Sequence, residues 1–215
     1  MTSNNYQYHC SPQWFVTDAM QFIPVSGVVG EPCAGNGVIS EVLKLYDRVT
    51  NVWTNDLDPS WDDADYHLDA TEEESWKMFP AADWIVTNPP YSGLDFLILE
   101  KANRYARRGV LMFLRHSFTE PCQNRANWLD ENPQSHELVY PRYRFKENKY
   151  GRLGNDSATV TAYAWDKKAV SQLCRSRPAK KIAGFHSSPK NAPDWETVKE
   201  IVEQQQKRIS FKLIA

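Results

Sequence analysis

Short apolar runs that alternate with helix-patterned stretches predict an α/β fold: a doubly wound, mostly parallel sheet with an antiparallel strand near the C-terminus. Three observations carry this expectation. Strand-like runs recur at Gly27–Glu31, Val49–Thr54, 83–87 and 110–114. Helical patterns at 38–46 and Leu94–Tyr105 separate them. After about residue 132 the alternation stops, and two more strand-like runs, 136–140 and 158–165, are joined by a long polar and basic connection.

Each element has a local reason. Ser11 and Pro12 suit the cap and first position of a helix over 12–20, which Pro24 stops. The run Gly27-Val28-Val29-Gly30-Glu31 has the continuous apolar character of a buried parallel strand and ends in a turn. Positions 38, 39, 42, 43, 45 and 46 are apolar, the spacing of a helix that covers a sheet. Val110-Leu111-Met112-Phe113-Leu114 reads as another buried strand. A stretch punctuated by Pro178, Pro189 and Pro193 leads to a helix over 194–208, with Trp195, Val198, Ile201, Val202 and Ile209 roughly on one face. Such a stripe needs a cover, either its own domain or a second subunit, so the oligomeric state stays open. The expectation is a single domain over residues 1–215, with 182–215 as a C-terminal helical extension.

Composition narrows the class. With 41% hydrophobic and 24% charged residues in 215, the chain is that of a folded protein with a substantial core. No stretch reaches the length of a membrane span, and Met1-Thr2-Ser3-Asn4-Asn5 has no leader-like character, so a cytoplasmic protein is expected. Cys10, Cys33, Cys122 and Cys174 form no C-x-x-C pair and the five histidines no H-x-x-x-H pair, so neither a disulfide framework nor a metal site is expected. The net charge of −2 conceals a strong segregation: residues 1–100 carry 3 Lys/Arg against 16 Asp/Glu, and residues 101–181 carry 17 against 7. The basic part is able to attract phosphates despite the acidic total.

Three motifs lie where chemistry is expected. Glu31-Pro32-Cys33-Ala34-Gly35-Asn36-Gly37 stands between a strand and a helix, where glycines let the backbone turn tightly beside a ligand. It lacks the third glycine of the dinucleotide fingerprint, which argues against NAD or FAD. Asp56 ends the next strand, 19 residues past Gly37, where a carboxylate can hold ribose hydroxyls or merely shape a turn with Asn55 and Asp58. Asn88-Pro89-Pro90-Tyr91 follows the 83–87 strand. The two prolines stiffen the backbone and remove donors, leaving carbonyls and the Asn88 oxygen to accept an –NH₂ group beside a stacking ring.

On these residues the chain resembles class I S-adenosylmethionine-dependent amino-methyltransferases with an Asn-Pro-Pro-Tyr motif, and in motif order the gamma-type, small phage-type DNA adenine-N6 enzymes. The resemblance covers roughly 11–117 and implies a Rossmann-like methyltransferase fold with S-adenosylmethionine as cofactor. It further implies Asn88, Pro89, Pro90 and Tyr91 as catalytic, and a cofactor site formed by Ser11, Pro12, Glu31, Pro32, Cys33, Gly35, Gly37, Asp56 and Asp69. Asp69 matches the carboxylate that receives the cofactor's adenine amino group. Ser11-Pro12 resembles a Thr-Pro segment that helps hold its methionine end. The basic, aromatic-interleaved stretch 142–152 supplies Arg142, Arg144, Lys146, Lys149 and Arg152 as candidate nucleic-acid contacts, or else is an exposed loop. Arg115, after the 110–114 strand, suits a phosphate contact or an ion pair with an acid. DNA is favoured over RNA as partner, with RNA adenine or guanine amino-methylation and protein glutamine methylation as alternatives. A non-catalytic binding module is the reading from a different class.

Overall fold

The computed structural model describes residues 11–91, 93–120, 122, 125–141, 159–169, 174–176 and 193–214. Among the described residues seven strands form one sheet: β1 (Gly27–Glu31), β2 (Val49–Thr54), β3 (Trp84–Thr87), β4 (Gly109–Arg115), β5 (His136–Val139), β6 (Val160–Asp166) and β7 (Cys174–Ser176). Their order is β2-β1-β3-β4-β6-β5-β7. Strands β1 to β4 run parallel. Strand β6 runs against both β4 and β5, and β7 parallels β5. The expected antiparallel strand is therefore present, slotted between β4 and β5.

Both faces are covered, which is why the central strands read as unbroken apolar runs. Leu111 and Phe113 of β4 join one core with Val29 and Val52, under α1 (Gln13–Phe22), α2 (Val38–Leu43) and α6 (Trp195–Ile214). Val110, Met112 and Leu114 face the other core with Trp53 and Ile85, under α3 (Glu73–Met78), α4 (Leu94–Tyr105) and α5 (Ala126–Glu131). This alternation is the pleat expressed in packing. Helix α6 buries Val198 and Val202 in the first core with Trp195 packed against it, while Ile201 is half-buried. Tyr46 Oη donates to Gln205 Oε1 at 2.7 Å, and the Asp47 N–H donates to Gln206 Oε1 at 2.7 Å, tying α6 to the end of α2. The Ile209 side chain lies outside the described residues.

Several elements differ from expectation. Helix α2 stops at Leu43, and Leu45 and Tyr46 follow in a turn, with Tyr46 still buried. Helices α3 and α5, six residues each, are too short to show a period, and β7 has only three residues. Pro12, not Ser11, holds the cap position of α1, and no side chain caps that helix. No helix among the described residues is long and apolar enough to cross a membrane.

The topology defines a crevice. Strand β2 lies on one side of β1 and β3 on the other, so the strand order reverses between β1 and β3 at the carboxyl edge. Glu31, Thr54, Thr87 and Arg115 end their strands at that edge. Because β6 is antiparallel, its start is there too, and the Thr159 carbonyl accepts the His116 N–H at 2.8 Å. The Tyr140 N–H donates to the Val160 carbonyl at 3.1 Å, so the chain on either side of 142–158 is anchored at the same edge.

Candidate active site

Strand β1 delivers Glu31 to the crevice, and the chain then turns through Pro32–Gly37. Gly35 and Gly37 have φ of 51° and 73°, left-handed values that penalise a side chain. The Gly37 N–H closes the turn on the Ala34 carbonyl at 2.9 Å. Asp56 holds the loop from β2: its Oδ2 accepts the Gly35 N–H at 2.7 Å and its Oδ1 the Asp58 N–H at 2.9 Å. Asp56 is thus a turn former, and each oxygen keeps a second lone pair with which a ribose hydroxyl can pair.

Asn55 was legible in the sequence only as part of a turn, yet it knits the site together. It is wholly buried. Its Nδ2 donates to the carbonyls of Pro32 at 2.9 Å and Leu68 at 3.0 Å, and its Oδ1 accepts the Leu68 N–H at 2.8 Å. One amide therefore joins the glycine loop to the segment that carries Asp69. The Asp69 Oδ1 accepts the Thr71 N–H at 2.8 Å and the Thr71 hydroxyl at 2.6 Å.

The three acids share one neighbourhood. Burial pushes the Cys33 thiol up, the charge of Asp56 pushes it further, and Glu31 and Asp69 add to this while a Thr87 hydrogen bond opposes it. A thiol held up in this way stays protonated and is not a nucleophile. Glu31 is fully buried, and neither oxygen makes a well-formed hydrogen bond. Burial raises its carboxyl well above the usual range; the nearby Ser40 amide and hydroxyl oppose this, and Asp56 reinforces it. An enclosed, poorly paired carboxyl, with Asp56 and Asp69 acting on the same Cys33, fits a ligand that brings hydroxyl groups to the first and positive charge to the other two. A nucleoside carrying an ammonium and a sulfonium meets that description. Glu31, Asp56 and Asp69 are the residues that can hold it, beside the buried Pro12 and Pro32.

Strand β3 brings Asn88 to the same edge. The buried Ser11 hydroxyl accepts from Asn88 Nδ2 at 3.0 Å, and Asn88 Oδ1 accepts from Tyr91 Oη at 2.8 Å. The expectation of an unengaged Asn88 oxygen is corrected: the tyrosine hydroxyl of the same motif already donates to it. Ser11 in turn sets the amide's orientation, because donation from Nδ2 points Oδ1 the other way. Pro89 is buried and Pro90 half-buried. Thr87 Oγ1 reaches the Cys33 carbonyl at 3.5 Å, linking this strand end to the glycine loop. The Arg115 guanidinium lies over the Tyr91 ring, with Cζ 5.4 Å from its centroid. Arg142, Arg144, Lys146, Lys149 and Arg152 lie outside the described residues. A cavity of about 230 Å³ opens between Gly35, Gly37, Ser40, Lys44 and Trp61. It opens on the glycine loop that Asp56 holds, and Asp56, Asp69 and Asn88 are not among its lining residues. Among the described residues no group of His, Cys, Asp and Glu is arranged to hold a metal ion.

No protein-family model matches the chain, and no curated protein matches it in sequence. Solved structures match its fold. The methyltransferase subunit of a type I restriction-modification system from Streptococcus thermophilus superposes with a TM-score of 0.62 at 15% identity, over 93% of this chain and 53% of that one. A chain of a type I restriction-modification assembly gives 0.63 at 12% identity, over 92% and 50%. A modification subunit from Vibrio vulnificus YJ016 gives 0.60 at 9% identity, over 96% and 54%. The chain thus has the Rossmann-like methyltransferase fold and spans about half the length of these structures.

Proposed function

We propose that this chain binds S-adenosylmethionine and transfers its methyl group to an exocyclic amino group, with adenine N6 in DNA as the target. The observation that carries the reading is Asn88. Ser11 holds it with its oxygen directed away, in an Asn-Pro-Pro-Tyr turn at the strand-order reversal, beside a glycine loop ringed by Glu31, Asp56 and Asp69. Bound S-adenosylmethionine supplies an activated methyl group for direct in-line transfer to nitrogen.

The protein's part is electrostatic and positional. The lone pair of an aromatic amine is delocalised into its ring, so the nitrogen is a weak nucleophile. Asn88 Oδ1 and the Pro89 carbonyl accept its two N–H bonds, which localises that pair as the new N–C bond forms and the methyl–sulfur bond breaks with its electrons left on sulfur; the methylated nitrogen then loses its surplus proton to solvent. Oδ1 has a second lone pair for this while Tyr91 donates to the first. Tyr91 holds the planar ring and thereby the nitrogen's distance from the methyl group. In a duplex the base must first leave the stack, at a cost of a few kcal/mol.

Three facts favour nucleic acid over a protein side chain, and DNA in particular. Basic charge is concentrated in residues 101–181. The chain flanking the basic 142–152 stretch is anchored at the crevice edge. The structures of like fold include subunits of type I restriction-modification systems. The test is transfer of labelled methyl into DNA, RNA and protein fractions by the wild type and by Asn88→Ala. Label in DNA adenine is expected, falling about 10²-fold or more in the variant while calorimetric cofactor affinity is largely retained. Label in RNA or in protein glutamine redirects the reading to those substrates. No cofactor binding by the wild type ends it.

A further inference from the structure

We infer that Arg115 is a positioning residue for Tyr91, a role that rests on the methyl-transfer reading above but has a structural test of its own. A tyrosine at the mouth of a crevice can rotate about two side-chain torsions, and a stacking platform works only if its plane is set beforehand. Two of its contacts bear on that plane. The hydroxyl at the ring's tip donates to Asn88 Oδ1 at 2.8 Å, and the Arg115 guanidinium lies on the ring with Cζ 5.4 Å from its centroid. Ser11, Asn88, Tyr91 and Arg115 thus form one chain of contacts, from the buried residue ahead of the α1 cap to the exposed end of β4.

The position of Arg115 favours this role over that of a simple surface cation. It is the last residue of β4, paired in register with Val160 of β6, so its backbone is fixed by the sheet. A planar guanidinium stacks on an aromatic face where a lysine ammonium presents only a point charge. Asp95 lies buried at the start of α4, and Arg115 is one of two arginines whose charge acts on it, the other being Arg125. The cation is therefore attracted both by the ring face and by a carboxylate of the helix that follows Tyr91. The geometry makes Arg115 part of the base-holding apparatus, a role in which its loss frees the ring.

The test replaces Arg115 with Met, which keeps length and apolar contact, and with Lys, which keeps charge. The protein carries 3-fluorotyrosine, and the Tyr91 ¹⁹F line is assigned with Tyr91→Phe. Arg115→Met is expected to shift and broaden the Tyr91 line, with Arg115→Lys intermediate. On an oligonucleotide substrate, Arg115→Met should lower kcat on the order of tenfold with KM changed less than about twofold, since misplacement of a reacting group acts on turnover. The salt dependence of oligonucleotide binding should be unchanged. An unmoved ¹⁹F line overturns the inference. So does a variant that keeps kcat while its salt slope falls by about one, the mark of a lost phosphate contact. A moved ¹⁹F line in a protein that methylates no oligonucleotide would uphold the role of Arg115 and overturn only the methyl-transfer reading.

Discussion

Replacing Asn55 with alanine separates the two segments that its amide joins, and the size of the effect can be worked out bond by bond. The side chain is 0% exposed and makes three hydrogen bonds of 2.8–3.0 Å, to the Pro32 carbonyl, the Leu68 carbonyl and the Leu68 N–H. Each buried bond contributes about 1 kcal/mol net, and the stranded partners are in a wall too enclosed for easy hydration. The expected loss is about 3 kcal/mol, a fall in melting temperature of roughly 6–12 °C for a chain of this size. Loss of the tie also releases Asp69 from the glycine loop, so cofactor affinity should fall on the order of tenfold, about 1.4 kcal/mol. Asn55→Asp should be worse at neutral pH: it keeps the acceptor for Leu68 but sets a carboxylate against two carbonyl oxygens. Calorimetric unfolding and titration with S-adenosylmethionine measure both effects. A variant melting within about 2 °C of the wild type with unchanged affinity would refute the claim that this amide joins the site.

Asp18 in α1 is 5% exposed, and burial raises its carboxyl to about 7 from 3.8. The native state therefore binds this proton more tightly than the unfolded chain, and the stability it confers below about pH 4 is lost as pH rises toward 7. Asp18→Asn should match the wild type near pH 4 and exceed it at pH 8 by about 2–4 kcal/mol in urea unfolding; parallel pH profiles would contradict this. In the basic stretch, changing Arg142, Arg144 and Lys146 together to alanine should weaken oligonucleotide binding and reduce its salt slope by about two to three, leaving S-adenosylmethionine affinity unchanged. An unaltered slope would show that these residues face solvent only.

Much of the architecture could be read locally. Continuous apolar runs mark β1, β3 and β4 because a sheet covered on both faces has no polar side to alternate with, and the β4 residues do divide between the two cores. Glycines and prolines located the two turns of the candidate site, since positive φ at Gly35 and Gly37 is a backbone demand that a short segment declares by itself. Six-residue helices such as α3 and α5 escaped because fewer than two turns carry almost no periodic signal.

The sequence alone thus determined which residues stand at the ends of β1, β2 and β3, and with them the acids and the Asn-Pro-Pro-Tyr turn. It did not determine how those residues engage one another. Ser11 and Asn88 are 77 residues apart, and Asn55 reaches 23 residues back to Pro32 and 13 forward to Leu68. That the Asn88 oxygen is engaged by Tyr91, that Arg115 lies on the Tyr91 ring, and that Ser11 orients an amide instead of capping a helix all depend on side-chain directions set by packing. Backbone preferences are local and recur wherever the same few residues occur. A hydrogen bond between distant side chains exists only once the sheet has placed their strand ends side by side, and a linear pattern does not encode that distance.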